Sequence, residues 1–143
     1  MRVKKLWICL VCVSFLIIGF GCFSKKTDYK LDYEELKEQV VAVEIIYVHE
    51  TNENISYNVG VVKEENMDSF LKELCQLTYA KFVPPKSSSG KSVKLVHKDG
   101  SYVVISVYGG AEYNSKGEWE KFGLCATNEE MFLSLIDKYI VEE

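Results

Sequence analysis

The sequence predicts an α+β fold, a single antiparallel sheet of about five to six strands with two helices packed on one face. Three observations carry this expectation. Short runs of alternating apolar residues, separated by turn residues, repeat with the period of half-buried strands. Two other stretches, residues 66–79 and 128–140, repeat apolar residues at helical spacing. The order is hairpin, helix, several strands, helix, which is not the alternation that parallel units require.

Residues 32–39 are charged, with Leu36 as the main apolar anchor, and suit one or two helical turns. The first strand spans residues 40–50. Val41, Val43, Ile45 and Tyr47 share one face there, with Ala42, Glu44, Ile46 and Val48 opposite. Turn residues 51–54 lead to a second strand over 55–62, where Ile55, Tyr57, Val59 and Val61 fall together. Asn66 is a suitable cap for the first helix, whose stripe is Met67, Phe70, Leu71, Leu74 and Thr78, with Cys75 at its edge. Pro84 and Pro85 remove two amide donors and mark residues 84–90 as a loop. Strands over 93–97 and 102–108 flank Asp99-Gly100, a dipeptide suited to the positive φ angles of a two-residue hairpin turn. Strands over 111–113 and 118–124 flank Asn114-Ser115-Lys116-Gly117. Thr127 and Glu130 fit a capping box for the last helix, with Met131, Phe132, Leu135, Ile136, Tyr139 and Ile140 as its buried stripe.

The amino end is of a different kind. Arg2, Lys4 and Lys5 precede an apolar run from Leu6 to Phe20, the layout of a secretory signal. That run is short of the ~20 apolar residues a membrane span needs. It stops at Gly21-Cys22, and polar residues follow. A small residue before a cysteine at the end of such a run resembles the lipobox of bacterial lipoproteins. The resemblance implies cleavage before Cys22 and a diacylglyceryl and fatty-acyl (palmitate-type) modification of that cysteine. Gly19 stands where the family prefers an aliphatic residue, and Phe20 is bulkier than usual. The division that follows is a signal over 1–21, a lipid-anchored tether over 22–30 and one domain over 31–143. The domain's pattern is similar to that of small uncharacterised surface lipoproteins of Gram-positive bacteria, a resemblance that implies no activity. The single Arg against sixteen Lys suggests an AT-rich genome, which fits such a source.

Without residues 1–21 the chain carries 14 basic against 21 acidic residues, a net charge of −7. That balance argues against nucleic acid as a partner and against electrostatic adsorption to anionic lipid. The partners expected are the membrane, through the anchor, and an envelope or extracellular protein. Cys75 and Cys125 remain after cleavage. An exported pair can form a disulfide, but two separate, partly buried thiols are the expectation here.

Chemistry-bearing motifs are sparse. Gly90-Lys91-Ser92 resembles the end of a phosphate-binding loop, but Pro85 stands where that motif needs glycine, and a strand follows instead of a helix. Ser88 and Lys91 have the spacing of a penicillin-binding nucleophile, in a loop and with no partner motifs. His49 and His97 each end a strand, and nothing in the spacing brings them together. Glu112, Glu118, Glu120, Glu129 and Glu130 read as a solvated acidic face rather than a calcium loop. No catalytic residue, cofactor or metal site is expected. Tyr108, Tyr113, Trp119 and Phe122, interleaved with glycines, form a candidate binding surface. On simple alternation Trp119 and Phe122 face opposite sides of their strand, so one of them points away from the helices. The function expected is a membrane-anchored extracytoplasmic lipoprotein with a non-catalytic binding domain. The alternatives are an envelope-acting hydrolase with His49 or His97 as base, and a self-protection or immunity lipoprotein.

Overall fold

The structure is a computed structural model and describes residues 28–48, 56–81, 83 and 90–142. The expected signal, Cys22, His49, the expected 51–54 turn and most of the 84–90 loop lie outside the described residues. The elements in chain order are α1 (Tyr33–Gln39), β1 (Val40–Val48), β2 (Ser56–Val62), α2 (Glu64–Leu74), β3 (Tyr79–Lys81), β4 (Gly90–His97), β5 (Tyr102–Ile105), β6 (Gly110–Tyr113), β7 (Trp119–Phe122), β8 (Leu124–Ala126), α3 (Glu129–Tyr139) and β9 (Ile140–Glu142).

These elements overturn the expectation of one five-to-six-stranded sheet with two helices. The main sheet has seven strands in the order β7-β6-β5-β4-β1-β2-β9, and β3 and β8 form a separate two-stranded sheet. All the named strand pairs are antiparallel. Strand accounts for 45% of the described chain against 29% helix, so the molecule is sheet-rich, with three helices.

The differences have local causes. The helical periodicity of residues 66–79 ends early: α2 stops at Leu74, and Tyr79 belongs to β3. The helix begins at Glu64 after Lys63, so Asn66 lies inside it and caps nothing. The strand expected over 118–124 breaks at Gly123, whose amide donates to Gly110 O at 2.8 Å. At this crossing a Cβ on Gly110 would lie 2.2 Å from the Leu124 carbonyl oxygen, so only glycine lets the two backbones meet. Residues before Gly123 stay in the main sheet as β7, and those after it pair with β3 as β8. The last helix ends at Tyr139, and Ile140–Glu142 turns extended to pair with β2. The strand expected over 102–108 ends at Ile105, where Ser106 Oγ donates to Gly109 O at 2.7 Å and accepts the Tyr108 amide.

Turns and caps also differ in detail. Asp99-Gly100 sits in a three-residue loop rather than a two-residue one: His97 N donates to Ser101 O, and Gly100 N to His97 O. Gly100 takes the positive φ, 85°, that such a loop places at its last position. Ser115, Lys116 and Gly117 repeat the construction between β6 and β7. Asn128, not Thr127, caps α3, its side chain accepting from Met131 N at 3.0 Å. Thr127 Oγ1 instead donates to Thr78 O and ties the start of α3 to the entrance of β3.

The core lies on one face of the sheet. Val43, Ile45, Val62, Val93, Leu95 and Ile105 meet Phe70, Leu71 and Leu74 of α2, Phe132, Leu135 and Ile136 of α3, and Leu36 of α1. The buried ring of Tyr79 closes one end, its hydroxyl donating to Leu74 O at 2.6 Å. A bulge at Val41 shifts the alternation of β1. Val41 is therefore exposed, although it was expected beside Val43, and Val40 is buried in its place. Tyr29, in the stretch read as tether, already pairs with Tyr79 through both backbone bonds, so it belongs to the fold. No helix of the described residues is long and apolar enough to cross a membrane.

Candidate functional site

The helices put their buried residues into the core on one side, which leaves the opposite sheet face without helical cover among the described residues. Cross-strand pairing fixes what that face carries. Glu44 pairs with Lys94 and Ile46 with Ser92; Lys94 pairs in turn with Val104, Val104 with Ala111, and Tyr102 with Tyr113. Together with Tyr57 and Asn58 of β2, these residues line an open groove of about 510 Å³ that runs across β2, β1, β4, β5 and β6.

At the centre of the floor Lys94 Nζ lies 2.8 Å from Glu44 Oε2, with side chains 25% and 30% exposed. The two charges are partly shielded, neutralise one another and hold the floor in one arrangement, an interaction on the order of 1 kcal/mol. Lys94 also stands 4.7 Å from the centre of the Tyr102 ring. Tyr102 stacks on Tyr113 with ring centroids 4.6 Å apart. Burial, with Tyr102 alongside, raises the Tyr113 hydroxyl above its ordinary pKa. Tyr108 stands at the end of the groove, its hydroxyl donating to Glu129 at 3.1 Å, and that bond raises its pKa.

Of the four aromatics singled out in the sequence, Tyr108 and Tyr113 line this groove. Trp119 and Phe122 sit beyond it on the edge strand β7, 54% and 39% exposed, with ring centroids 5.3 Å apart. The alternation argument for this pair fails. The register steps from Glu112–Lys121 to Tyr113–Trp119, so Glu120 is an extra residue on β7. That bulge turns Trp119 onto the same side as Phe122. Trp119 pairs with Tyr113 and Phe122 with Ala111 across the ladder, next to the groove at the sheet edge.

The sequence reading missed Glu44, Lys94, Tyr57, Tyr102 and Ser92. A signal existed for two of them: Glu44 and Lys94 are opposite charges interrupting apolar strands. The register that joins them, however, comes only from the fold.

Among the described residues the remaining candidates do not converge. His97 Nδ1 is 3.1 Å from Ser101 Oγ, while that hydroxyl donates to Asp99 Oδ1 at 2.6 Å. A nucleophile relay needs the imidazole between carboxylate and hydroxyl. Here the serine stands between them, and its proton goes to the carboxylate. The three residues brace the hairpin loop, and the Ser101 bonds hold Asp99 below its ordinary pKa. Glu112 pairs with Lys121 at 3.1 Å, Glu118 accepts from Asn114, and Glu129 from Tyr108. Among the described residues no group of three or more His, Cys, Asp or Glu is arranged to hold a metal. Cys75 and Cys125 are both thiols, each half-buried. Burial pushes Cys75 up to about 11, and Cys125 Sγ donates to Val107 O at 3.2 Å.

Comparison of the chain with protein-family models, with curated proteins and with solved structures finds no match in any of the three.

Proposed function

We propose that this chain is an exported protein held at the outer face of the membrane by a lipid on Cys22, and that it works as a non-catalytic binding module through the sheet face that the described helices leave uncovered. The basic segment, the apolar run and its stop at Cys22 support the address. One observation supports the binding role above the others. A sheet that buries one face under three helices leaves on its other face a groove lined by four tyrosines around a single shielded ion pair. Exposed aromatic area concentrated in this way marks interaction surfaces, because rigid rings bring large contact area at low entropic cost.

The test is made in cells that express the full chain. A photo-reactive amino acid replaces Tyr102 in the groove or, as a control, Lys138 on the helix layer. Adducts at position 102 and none at position 138 are expected. Equal adduct yield at both positions, or adducts at 138 alone, refutes the assignment of the binding face.

A further inference from the structure

We infer that the groove takes a neutral saccharide chain of the envelope or surroundings, one presented free of the bilayer. This rests on the reading of the helix-free face as the binding surface.

The charge of the groove points first. Among the described residues Glu44 and Lys94 are the charged groups of its lining, and they are spent on each other at 2.8 Å. An anionic ligand would have to break that pair to gain the lysine, and a cationic one to gain the carboxylate. A neutral ligand leaves the pair intact and hydrogen-bonds to its unused donors and lone pairs.

The backbone points next. The floor strands β1, β4 and β5 each have a hydrogen-bonded partner on both sides, so their amides and carbonyls serve the ladder. A peptide laid on this face would bury its own backbone groups with no backbone to meet them, since strand addition needs an edge. An acyl chain fits no better, because it would strip water from Asn58, the ion pair and the tyrosine hydroxyls without replacing those bonds. A sugar chain meets both kinds of lining. Its apolar C–H faces lie on tyrosine rings, and its hydroxyls reach Asn58, Glu44 and Lys94. The groove crosses five strands, about 19 Å at ~4.8 Å per inter-strand step, and so accepts a run of sugars rather than one.

The attachment selects the source. Tyr29 stands with Leu31 and Leu36 against Leu95, Val103 and Ile105, on the helix-covered side of the sheet. Cys22 is six residues before Asp28, a reach of at most about 20 Å. With the proposed anchor at Cys22, the described chain enters the domain on the covered side, opposite the groove.

Calorimetric titration of the detergent-solubilised full chain tests the inference. The probes are a neutral tetrasaccharide of β-linked N-acetylglucosamine, an acidic peptide of similar length, and vesicles bearing a neutral glycolipid; amide NMR shifts are followed in parallel. The tetrasaccharide is expected to bind and to move groove resonances. Tyr102→Ala and Lys94→Met should each weaken it at least tenfold, and Met131→Ala, on the helix layer, should leave it unchanged. If Lys94→Met lowers the melting temperature, Tyr102→Ala and Tyr113→Ala carry the comparison. Binding of the peptide but not the sugar overturns the saccharide and keeps the binding face. Binding only to the glycolipid vesicles overturns the free source. If no probe and no whole-envelope extract moves the groove resonances, the binding face falls as well.

Discussion

Asn128 holds the start of α3 by accepting the Met131 amide, and Thr127 beside it is engaged with Thr78. Asn128→Ala should therefore lose roughly 0.5–2 kcal/mol of stability, read from denaturant unfolding; no change would place the cap elsewhere. Gly100, at φ 85°, makes a comparable case: Gly100→Val forces a β-branched residue into left-handed backbone and should cost on the order of 1–3 kcal/mol. An unchanged melting temperature would contradict the loop. Asp68 joins α1 to α2. Lys72 first, then Tyr33, hold its carboxylate down from 3.8 to about 2. A folded pKa below the unfolded one gives stability that is present above the unfolded value and lost as pH falls through about 2. A ¹³C NMR titration of the Asp68 carboxyl should show that low midpoint, and a midpoint near 3.8 would remove the contact. At this scale much was legible. The positive φ of Gly100 follows from residue type. Choosing Asn128 over Thr127 did not, since both suit a cap and only the position of Thr78 decides between them.

Element by element, periodicity carried the information where a segment was long enough to show it. The stripes Phe70, Leu71, Leu74 and Phe132, Leu135, Ile136 are buried. Met131, expected in the second stripe, is 53% exposed; the buried residues of α3 are Phe132, Leu135 and Ile136. Three-residue strands such as β3 and β9 cannot display a period, and each was absorbed into the end of a neighbouring helix. Bulges are equally silent in sequence. The extra residues Val41 and Glu120 each reverse an alternation that otherwise reads correctly. The bulge at Glu120 has an optical consequence, because the proposed cleavage before Cys22 would remove Trp7 and leave Trp119 as the sole tryptophan. The mature chain should emit at long wavelength and be quenched readily by iodide or acrylamide. Trp119→Ala should leave the melting temperature within a degree or two. A blue-shifted, quencher-resistant emission would mean a buried ring and would contradict the β7 register.

For the whole molecule, address and surface lie at opposite ends of what sequence can say. The address is a linear pattern, so the proposal for Cys22 rests on the sequence alone. Fatty-acid labelling of cells should mark the wild-type chain and not Cys22→Ala, and equal labelling would refute the anchor. The binding face is a product of topology. Tyr108 and Tyr113 were visible as part of an aromatic cluster, but Glu44, Lys94 and Tyr57 come from strands far apart in the chain and join them only through the β4-β1-β2 order. The central claim is that this helix-free face, and not the helix layer, meets the partner. Amide chemical-shift mapping of the detergent-solubilised full chain, titrated with extract of its own cell envelope, tests it most directly. The account predicts shifts at Glu44, Ser92, Lys94, Tyr102 and Tyr113 with the amides of α2 and α3 unmoved. Shifts confined to α2 and α3, with the groove silent, would contradict it.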